Sequence, residues 1–440
     1  MSSALARKSQ LYFISSFAVM IIAGALLFKL PFIRCCGETL EWEDAFFQAT
    51  SAVCITGLSS IEIGDLNLPG QLLLLLLVHL GGLGIMTLSG SILAMLGRNM
   101  NVKDTMIMAV INDDFSPRKV ENLLATIMKF VLLMEGGGLV ILFLAFWLGG
   151  PCDGRELSWY EAAYCSVFFT VSSFFHAGFS IFSDSLCHVN IFVKLGVCAL
   201  VIAGSLGWYV FFDLIHFRED NRALRIHSKL VLIMTMILIP AGTLGVMLSE
   251  WHNGDFTWMD AFFQSVSSRS AGYCTYPTEQ LSPNSLTITI ILMFIGAAPG
   301  STGGGIKVVA VALALLAIIN TIKGNGTVLL FRREIPMRLV MKSFTIITMF
   351  IVLTLFGTML LAPQLPESAS ASHVYFEAVS AMSTVGLSTG VSGDVNVIGK
   401  LVLIILMFIG RIGPFTMLLF LFGREKKSVL RYPEERVVIG

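Results

Sequence analysis

The chain has 440 residues, 55% hydrophobic and only 13% charged, and its mean hydropathy of +0.81 lies far above that of a soluble globular protein. Lys plus Arg and Asp plus Glu both number 29, so no net charge points to nucleic acid or an acidic ligand. Eight cysteines without C-x-x-C spacing argue against a zinc site.

An apolar run over 11–33 follows Arg7 and Lys8, with no A-x-A-like site behind it, which predicts a retained first helix rather than a cleaved leader. The same pattern then recurs at 100 to 115 residues. Four times a long apolar helix is followed by a short amphipathic stretch, opened by an acid and closed near a glycine, and by a second long apolar helix. The helices are expected at 11–33 and 70–96, 121–149 and 191–214, 230–249 and 284–318, and 341–363 and 397–422. These eight spans fall into repeats at 1–100, 101–226, 227–335 and 336–440, the last ending in a C-terminal tail.

The short middle segments run Asp44–Leu58, Glu161–Phe179, Asp260–Tyr273 and Phe376–Leu387, and the first and third share D-A-F-F-Q. Crossing a roughly 30 Å hydrocarbon core takes about 20 residues, so each should enter and return on one side. Non-helical backbone at membrane depth must be buried in protein or line a water-filled cavity. Taken singly, such a segment reads equally well as a surface helix, but four alike point to a central pore. The expected fold is an all-α polytopic membrane protein with fourfold pseudosymmetry around one ion pathway.

Basic residues orient the chain. With both termini inside, twenty Lys and Arg fall on the cytoplasmic side and only Lys29, Arg34, Arg155, Lys194 and Lys400 outside. The outer segments also carry Glu38, Glu41, Glu43, Glu62, Asp65, Asp153, Glu156, Asp184, Asp255 and Glu367, either a negative mouth that concentrates cations or simply solvated loop charge. Cys152 and Cys187 lie in two of the outer loops, which leaves a disulfide or two thiols open.

An acid at a short helix's N-terminus satisfies free N–H groups, and the opposite, negative end aims at the cavity. A glycine just past the helix admits backbone angles that turn successive carbonyls toward an axis, where they replace part of a cation's hydration shell. Gly57, Gly178, Gly272 and Gly386 stand at these places, with Thr56, Ala177, Ala271 and Val385 before them as candidate carbonyl donors to potassium. Each repeat keeps one glycine followed by Leu58, Phe179, Tyr273 or Leu387, unlike the T-V-G-Y-G of tetrameric channels, so fewer ion sites and looser selectivity are expected.

Thr56-Gly57-Leu58, His176-Ala-Gly-Phe179, Ser270-Ala-Gly-Tyr273 and Thr384-Val-Gly-Leu-Ser-Thr-Gly390, with the interruption Gly296–Lys307 and Phe408-Ile-Gly-Arg-Ile-Gly-Pro414, resemble the TrkH/KtrB/HKT superfamily of potassium and sodium translocating subunits. The likeness covers nearly the whole chain. It favours the KtrB branch, because four helix–pore–helix units stand without the additional N-terminal helices of TrkH. The resemblance implies potassium as the transported ion, a homodimer in the plasma membrane joined partly through the tail 431–440, and a nucleotide-binding cytoplasmic ring of the KtrA/TrkA type docking on basic loops 218–229 and 323–342. It leaves open a sodium-selective transporter, sodium as an activating ion, and channel against symport. In plant relatives serine at the first filter position goes with sodium preference, and Gly57 resembles the potassium pattern.

Pro299 and Gly300 break the sixth span in mid-membrane, with Gly303, Gly304 and Gly305 behind them. By resemblance Gly300, Ser301, Thr302 and Gly303 form an intramembrane gate, and Arg411 adds an electrostatic barrier or hydrogen-bonds loop carbonyls. The run is no nucleotide P-loop, since Ile306 separates Gly305 from Lys307 and no strand precedes it. Arg269 is expected to brace the filter from behind, His176 to support it by a hydrogen bond, and Glu135 beside Gly136–Gly138 to mark helix packing or a coupling-ion ligand. H-E-x-x-H, G-x-S-x-G and paired intramembrane acids are all missing, which argues against a membrane-embedded enzyme.

Overall fold

The computed structural model describes residues 3–34, 39–84, 117–150, 152, 156–220, 224–325, 327–365, 370–393 and 395–417. Cys35–Cys36, the stretch 85–116, three of the acids expected on the outer side (Glu38, Asp153 and Glu367) and the tail 431–440 lie outside them.

Repeat 1 holds α1 (Ser3–Phe28), the short α2 (Trp42–Cys54) and α3 (Leu68–Leu83). Repeat 2 holds α4 (Pro117–Leu148), the short α5 (Trp159–Phe174), α6 (Ile191–Leu206) and α7 (Trp208–Asp220). Repeat 3 holds α8 (Ile226–Ser249), the short α9 (Trp258–Ser267), α10 (Pro283–Phe294) and α11 (Val308–Ile322). Repeat 4 holds α12 (Met337–Leu361), the short α13 (Ala371–Ser383) and α14 (Val397–Ile412). A two-stranded antiparallel hairpin, β1 (Val328–Leu330) with β2 (Arg333–Ile335), joins α11 to α12.

Among the described residues four helices cross a membrane by length and hydropathy alone, at Leu11–Phe28, Thr126–Leu148, Ile226–Ser249 and Met337–Gln364, the first helix of every repeat. The second helices depart from the expectation of continuous spans. Helix α3 ends on Gly84 at φ +70°, α6 on Gly207 at φ +78° with an 89° bend into α7, α10 at Ile295, and α14 on Gly413 at φ +89°. Only the third of these breaks is expected from its proline. The other three follow from a spaced glycine pair, Gly81/Gly84, Gly204/Gly207 and Gly410/Gly413, in which the second member supplies the left-handed exit. The first member meets the end of a short helix: a Cβ on Gly81, Gly204 or Gly410 would lie 2.1, 2.3 or 2.1 Å from the carbonyl oxygen of Val53, Phe174 or Met382.

Polarity is inside out. Val19, Leu133, Met236 and Met359 on the four long helices are exposed, Met236 and Met359 at 74%, whereas Ser51, Thr56, Ser172, Ser380, Ser383 and Thr384 at the centre are fully buried. An apolar exterior around a polar interior is the arrangement lipid demands. Trp42, Trp159 and Trp258 open three of the short helices and are exposed, as interfacial tryptophans are.

Candidate ion pathway

Each short helix is built to start and stop. In α5 the Ser158 backbone N–H and hydroxyl donate to Glu161 at 2.9 and 2.5 Å, and in α9 Thr257 pairs with Asp260 in the same reciprocal cap. Glu43 and Asp44 sit in the first turn of α2. Helix α13 differs from expectation: it starts at Ala371 with no acid in its first turn, and Glu377 lies fully buried in its middle.

Past these helices the four segments take one conformation. The residue two before each glycine is left-handed, at Ile55 (φ 56°), His176 (61°), Ser270 (81°) and Thr384 (48°), and so is each glycine, at Gly57 (90°), Gly178 (70°), Gly272 (80°) and Gly386 (93°). A side-chain-bearing residue held there costs about 1–2 kcal/mol, so the surroundings must enforce the shape. Between the two left-handed positions stands the residue whose carbonyl is the candidate ion ligand.

The four segments close a ring. A Cβ on Gly57 would lie 2.4 Å from the Ala177 carbonyl oxygen, one on Gly178 2.6 Å from that of Ala271, one on Gly272 2.3 Å from that of Val385, and one on Gly386 2.1 Å from that of Thr56. Each glycine thus abuts the candidate carbonyl of the next repeat, and the fourth returns to the first. The helices follow the same order, since α3 packs on α5, α6 on α9, α10 on α13 and α14 on α2. Two of these contacts carry mostly buried ion pairs, Lys400 with Asp44 at 2.5 Å and Lys194 with Asp260 at 3.3 Å, while Tyr164 donates to Gln71 in a third.

Side chains brace the ring from behind in two ways. In repeats 1 and 4 the glycine N–H donates to Ser51 or Ser380 at 3.1 Å, and Gln48 or Glu377 accepts from the serine two residues past the glycine, Ser59 at 2.8 Å or Ser388 at 2.6 Å. In repeats 2 and 3 the equivalent serines instead donate onward, Ser172 to the Phe179 carbonyl at 3.0 Å and Ser267 to the Tyr273 carbonyl at 2.5 Å. Sequence reading missed the Gln48 and Glu377 braces, although both stand nine residues before their glycine.

On one side the four glycines line a cavity of 470 Å³ together with Ser59, Ser388 and Glu62. Glu62 is the sole acid lining it among the described residues, so most of the outer carboxylates expected at the mouth lie further off. Asp44 and Asp260 are neutralised by lysines and Asp65 stands 4.0 Å from Arg34.

On the other side lies the segment 296–307, a compact return held by Gly296 N–H to Ile306 O (3.0 Å) and Ala297 N–H to Gly304 O (3.3 Å). Gly304 N–H donates to Ser270 Oγ (2.7 Å), which donates to the Thr384 carbonyl (3.0 Å). Thr302 is pinned most: its hydroxyl donates to Phe174 O (2.9 Å) and meets His176 Nδ1 (2.8 Å), while its carbonyl accepts from Arg411 (2.8 Å). Gly303 O accepts from Lys307 (2.6 Å), Gly300 O from Trp208 N–H (3.3 Å), and Ser301 Oγ donates to Ala298 O (2.5 Å). Arg411 also donates to Gly81 O (2.8 Å) at the broken end of α3, where helical carbonyls lack partners and the dipole is negative. It thereby ties repeats 1, 3 and 4 beneath the ring.

Arg269 reaches Ser205 Oγ at 3.2 Å, on the end of α6, and His176 contacts the 296–307 segment rather than a filter strand. Glu135 pairs with His79 at 3.3 Å, and of its three glycine neighbours only Gly138 packs closely, against Leu200 and Thr170.

A helical protein with an apolar exterior, whose four short helices lead into segments that close one ring, belongs to the class of membrane transport proteins. Residues 16–428 match the TrkH family model, described as cation transport protein, and the chain belongs to that family. Among its relatives are the Ktr system potassium uptake protein B of Vibrio alginolyticus, 35% identical over 97% of this chain and 93% of the relative, and the potassium/sodium uptake protein NtpJ of Enterococcus hirae, 32% identical over 97% and 96%. The crystal structure of the potassium transporter TrkH from Vibrio parahaemolyticus superposes with a TM-score of 0.70 at 20% identity, covering 94% of this chain and 85% of that one, and so shares the fold.

Proposed function

We propose that this chain carries potassium into the cell through the ring of Gly57, Gly178, Gly272 and Gly386, with the carbonyls of Thr56, Ala177, Ala271 and Val385 replacing water around the ion. The observation that carries the reading is the closed contact of each glycine with the next repeat's carbonyl. Four oxygens from one chain, held by left-handed backbone and buried serines, favour a dehydrated monovalent cation. The names of the full-length relatives, potassium uptake and potassium/sodium uptake, agree with that cargo.

The mouth at Glu62 faces outward in the inner membrane and both termini face the cytoplasm, a reading that the excess of basic residues in the opposite loops supports. The 300–303 segment closes the path below the ring, and Arg411, whose guanidinium contacts Thr302 and Gly81, holds it shut while adding positive charge in the ion's way. A second copy of the chain and a cytoplasmic nucleotide-binding ring complete the system. The ring docks on the face bearing Lys229, whose ammonium lies over Phe331 at the tip of the β1–β2 hairpin.

Rubidium and sodium uptake by purified protein in vesicles, and in cells lacking other potassium systems, tests the proposal. Rubidium entry that sodium fails to match is expected. Equal or greater sodium entry overturns the potassium reading in favour of the potassium/sodium relative's cargo.

A further inference from the structure

The outer loop after the second filter segment and the strand after the third are laced together beside the mouth. Leu186 N–H donates to the Cys274 carbonyl at 3.0 Å, and Cys274 N–H donates to Ser185 Oγ at 3.2 Å. That lacing brings two thiols together. Cys187 Sγ lies 4.0 Å from the Cys274 carbonyl oxygen and hydrogen-bonds with the Cys274 thiol. Both residues are partly exposed, and Cys274 lines the cavity with the four glycines, two residues past Gly272. Cys152, the other candidate partner of Cys187, meets Asn190, whose Nδ2 lies 3.4 Å from its sulfur.

We propose that Cys187 and Cys274 form a reversible disulfide on the outer face, which fastens the repeat 2 loop to the repeat 3 filter strand and throttles ion flow. The proposal rests on the reading of the glycine ring as the ion path. Hydrogen bonding from Cys187, and then from Ser185, draws the Cys274 thiol below its ordinary value against the opposing effect of burial, so Cys274 is the first nucleophile.

Its thiolate attacks one sulfur of an external low-molecular-weight disulfide, forming a mixed disulfide and releasing one thiol. The Cys187 thiolate then attacks the Cys274 sulfur and displaces the second thiol. The two cysteine protons end on the two released thiols, and the external disulfide is reduced as the cysteines are oxidised. A sulfur–sulfur bond of about 2.0 Å is far shorter than a thiol–thiol hydrogen bond, so closing it pulls Cys274, and with it Tyr273 and Gly272, toward the loop. Nothing forces the pull to spare the Val385 carbonyl, against which Gly272 already lies tightly.

The test uses the full chain in vesicles treated with oxidised glutathione, with rubidium uptake and non-reducing peptide mapping by mass spectrometry. A linked Cys187–Cys274 peptide and a several-fold fall in uptake, restored by dithiothreitol, are expected. Cys187→Ser should lose both responses and Cys152→Ala should keep them. Absence of the linked peptide, its replacement by a Cys152–Cys187 peptide, or its formation without a fall in uptake overturns the proposal. Reduced protein that carries no rubidium refutes the ion-path assignment instead, and the linked peptide then decides the bond by itself.

Discussion

Alanine at each ring glycine should damage selectivity in proportion to the room the structure withholds. Real Cβ atoms essentially never approach another atom closer than 3.0 Å. To reach that separation Gly386→Ala must retreat 0.9 Å from 2.1 Å, Gly272→Ala 0.7 Å from 2.3 Å, Gly57→Ala 0.6 Å from 2.4 Å and Gly178→Ala 0.4 Å from 2.6 Å. The obstacle is in every case a backbone carbonyl, which cannot swing aside as a side-chain tip can, so the strand or its neighbour must move. All four variants also put alanine at positive φ, a common cost of about 1–2 kcal/mol that does not rank them. Ion discrimination depends on carbonyl spacing at the scale of these retreats. The expected order of lost rubidium-over-sodium preference is therefore Gly386→Ala, Gly272→Ala, Gly57→Ala, Gly178→Ala, read from initial uptake rates in vesicles after gel filtration and thermal melts establish that each variant is folded. Unchanged preference in all four, or Gly178→Ala as the worst, would refute a path bounded by these carbonyls.

Arg411→Gln removes the charge and part of the donor fork while keeping a polar side chain, and should raise rubidium uptake measured without any cytoplasmic partner; a fall to background would contradict the gate. Glu377→Gln should be nearly neutral in selectivity and melting temperature, because Gln48 fills the same place in repeat 1. Glu377→Ala, by contrast, strands the Thr389 N–H at about 1–3 kcal/mol, leaves Ser388 Oγ only Ser392 and Gly390 as partners, and should lower both. A double-mutant cycle on Asp44 and Lys400, read by chemical unfolding in detergent, should give a coupling of about 1–3 kcal/mol, since the pair is mostly shielded from water; a coupling near zero would mean that repeats 4 and 1 are joined by packing alone.

The sequence carried the fold through its period. Hydrophobic length located the four first helices, and the recurrence of glycine after a short amphipathic stretch located the ring positions. Three second-helix breaks escaped it because Gly81/Gly84, Gly204/Gly207 and Gly410/Gly413 sit inside strongly apolar runs, where hydropathy gives no sign of a turn and single glycines are commonplace in membrane helices. The spacing of the pairs was the available signal, readable only once the repeats are aligned on the ring glycines. Glu377 misled for a related reason: an acid near the start of an apolar stretch looks like a helix opener, whereas its place nine residues before Gly386 matches Gln48 and marks a brace. Which cysteine stands beside Cys187 depended on which loops fold over one another, and that is fixed by tertiary structure rather than by spacing.

The bracing divides the ring into two adjacent pairs. Repeats 4 and 1 clamp their glycine N–H groups with Ser380 and Ser51 and are joined by Lys400 and Asp44. Repeats 2 and 3 leave those N–H groups to other geometry, spend the serine on the carbonyl after the glycine, and are joined by Lys194 and Asp260. Every hydroxyl that links the 296–307 segment to the ring belongs to the second pair or to the segment itself: Thr302 meets His176 of repeat 2, and Ser270 of repeat 3 relays Gly304 to Thr384. A symmetric tetramer could not make this division, because one subunit's serine would have to serve both purposes. A single chain with four diverged copies can brace the two sides of its ring differently, and draw the hydroxyl links to the segment below from one of them.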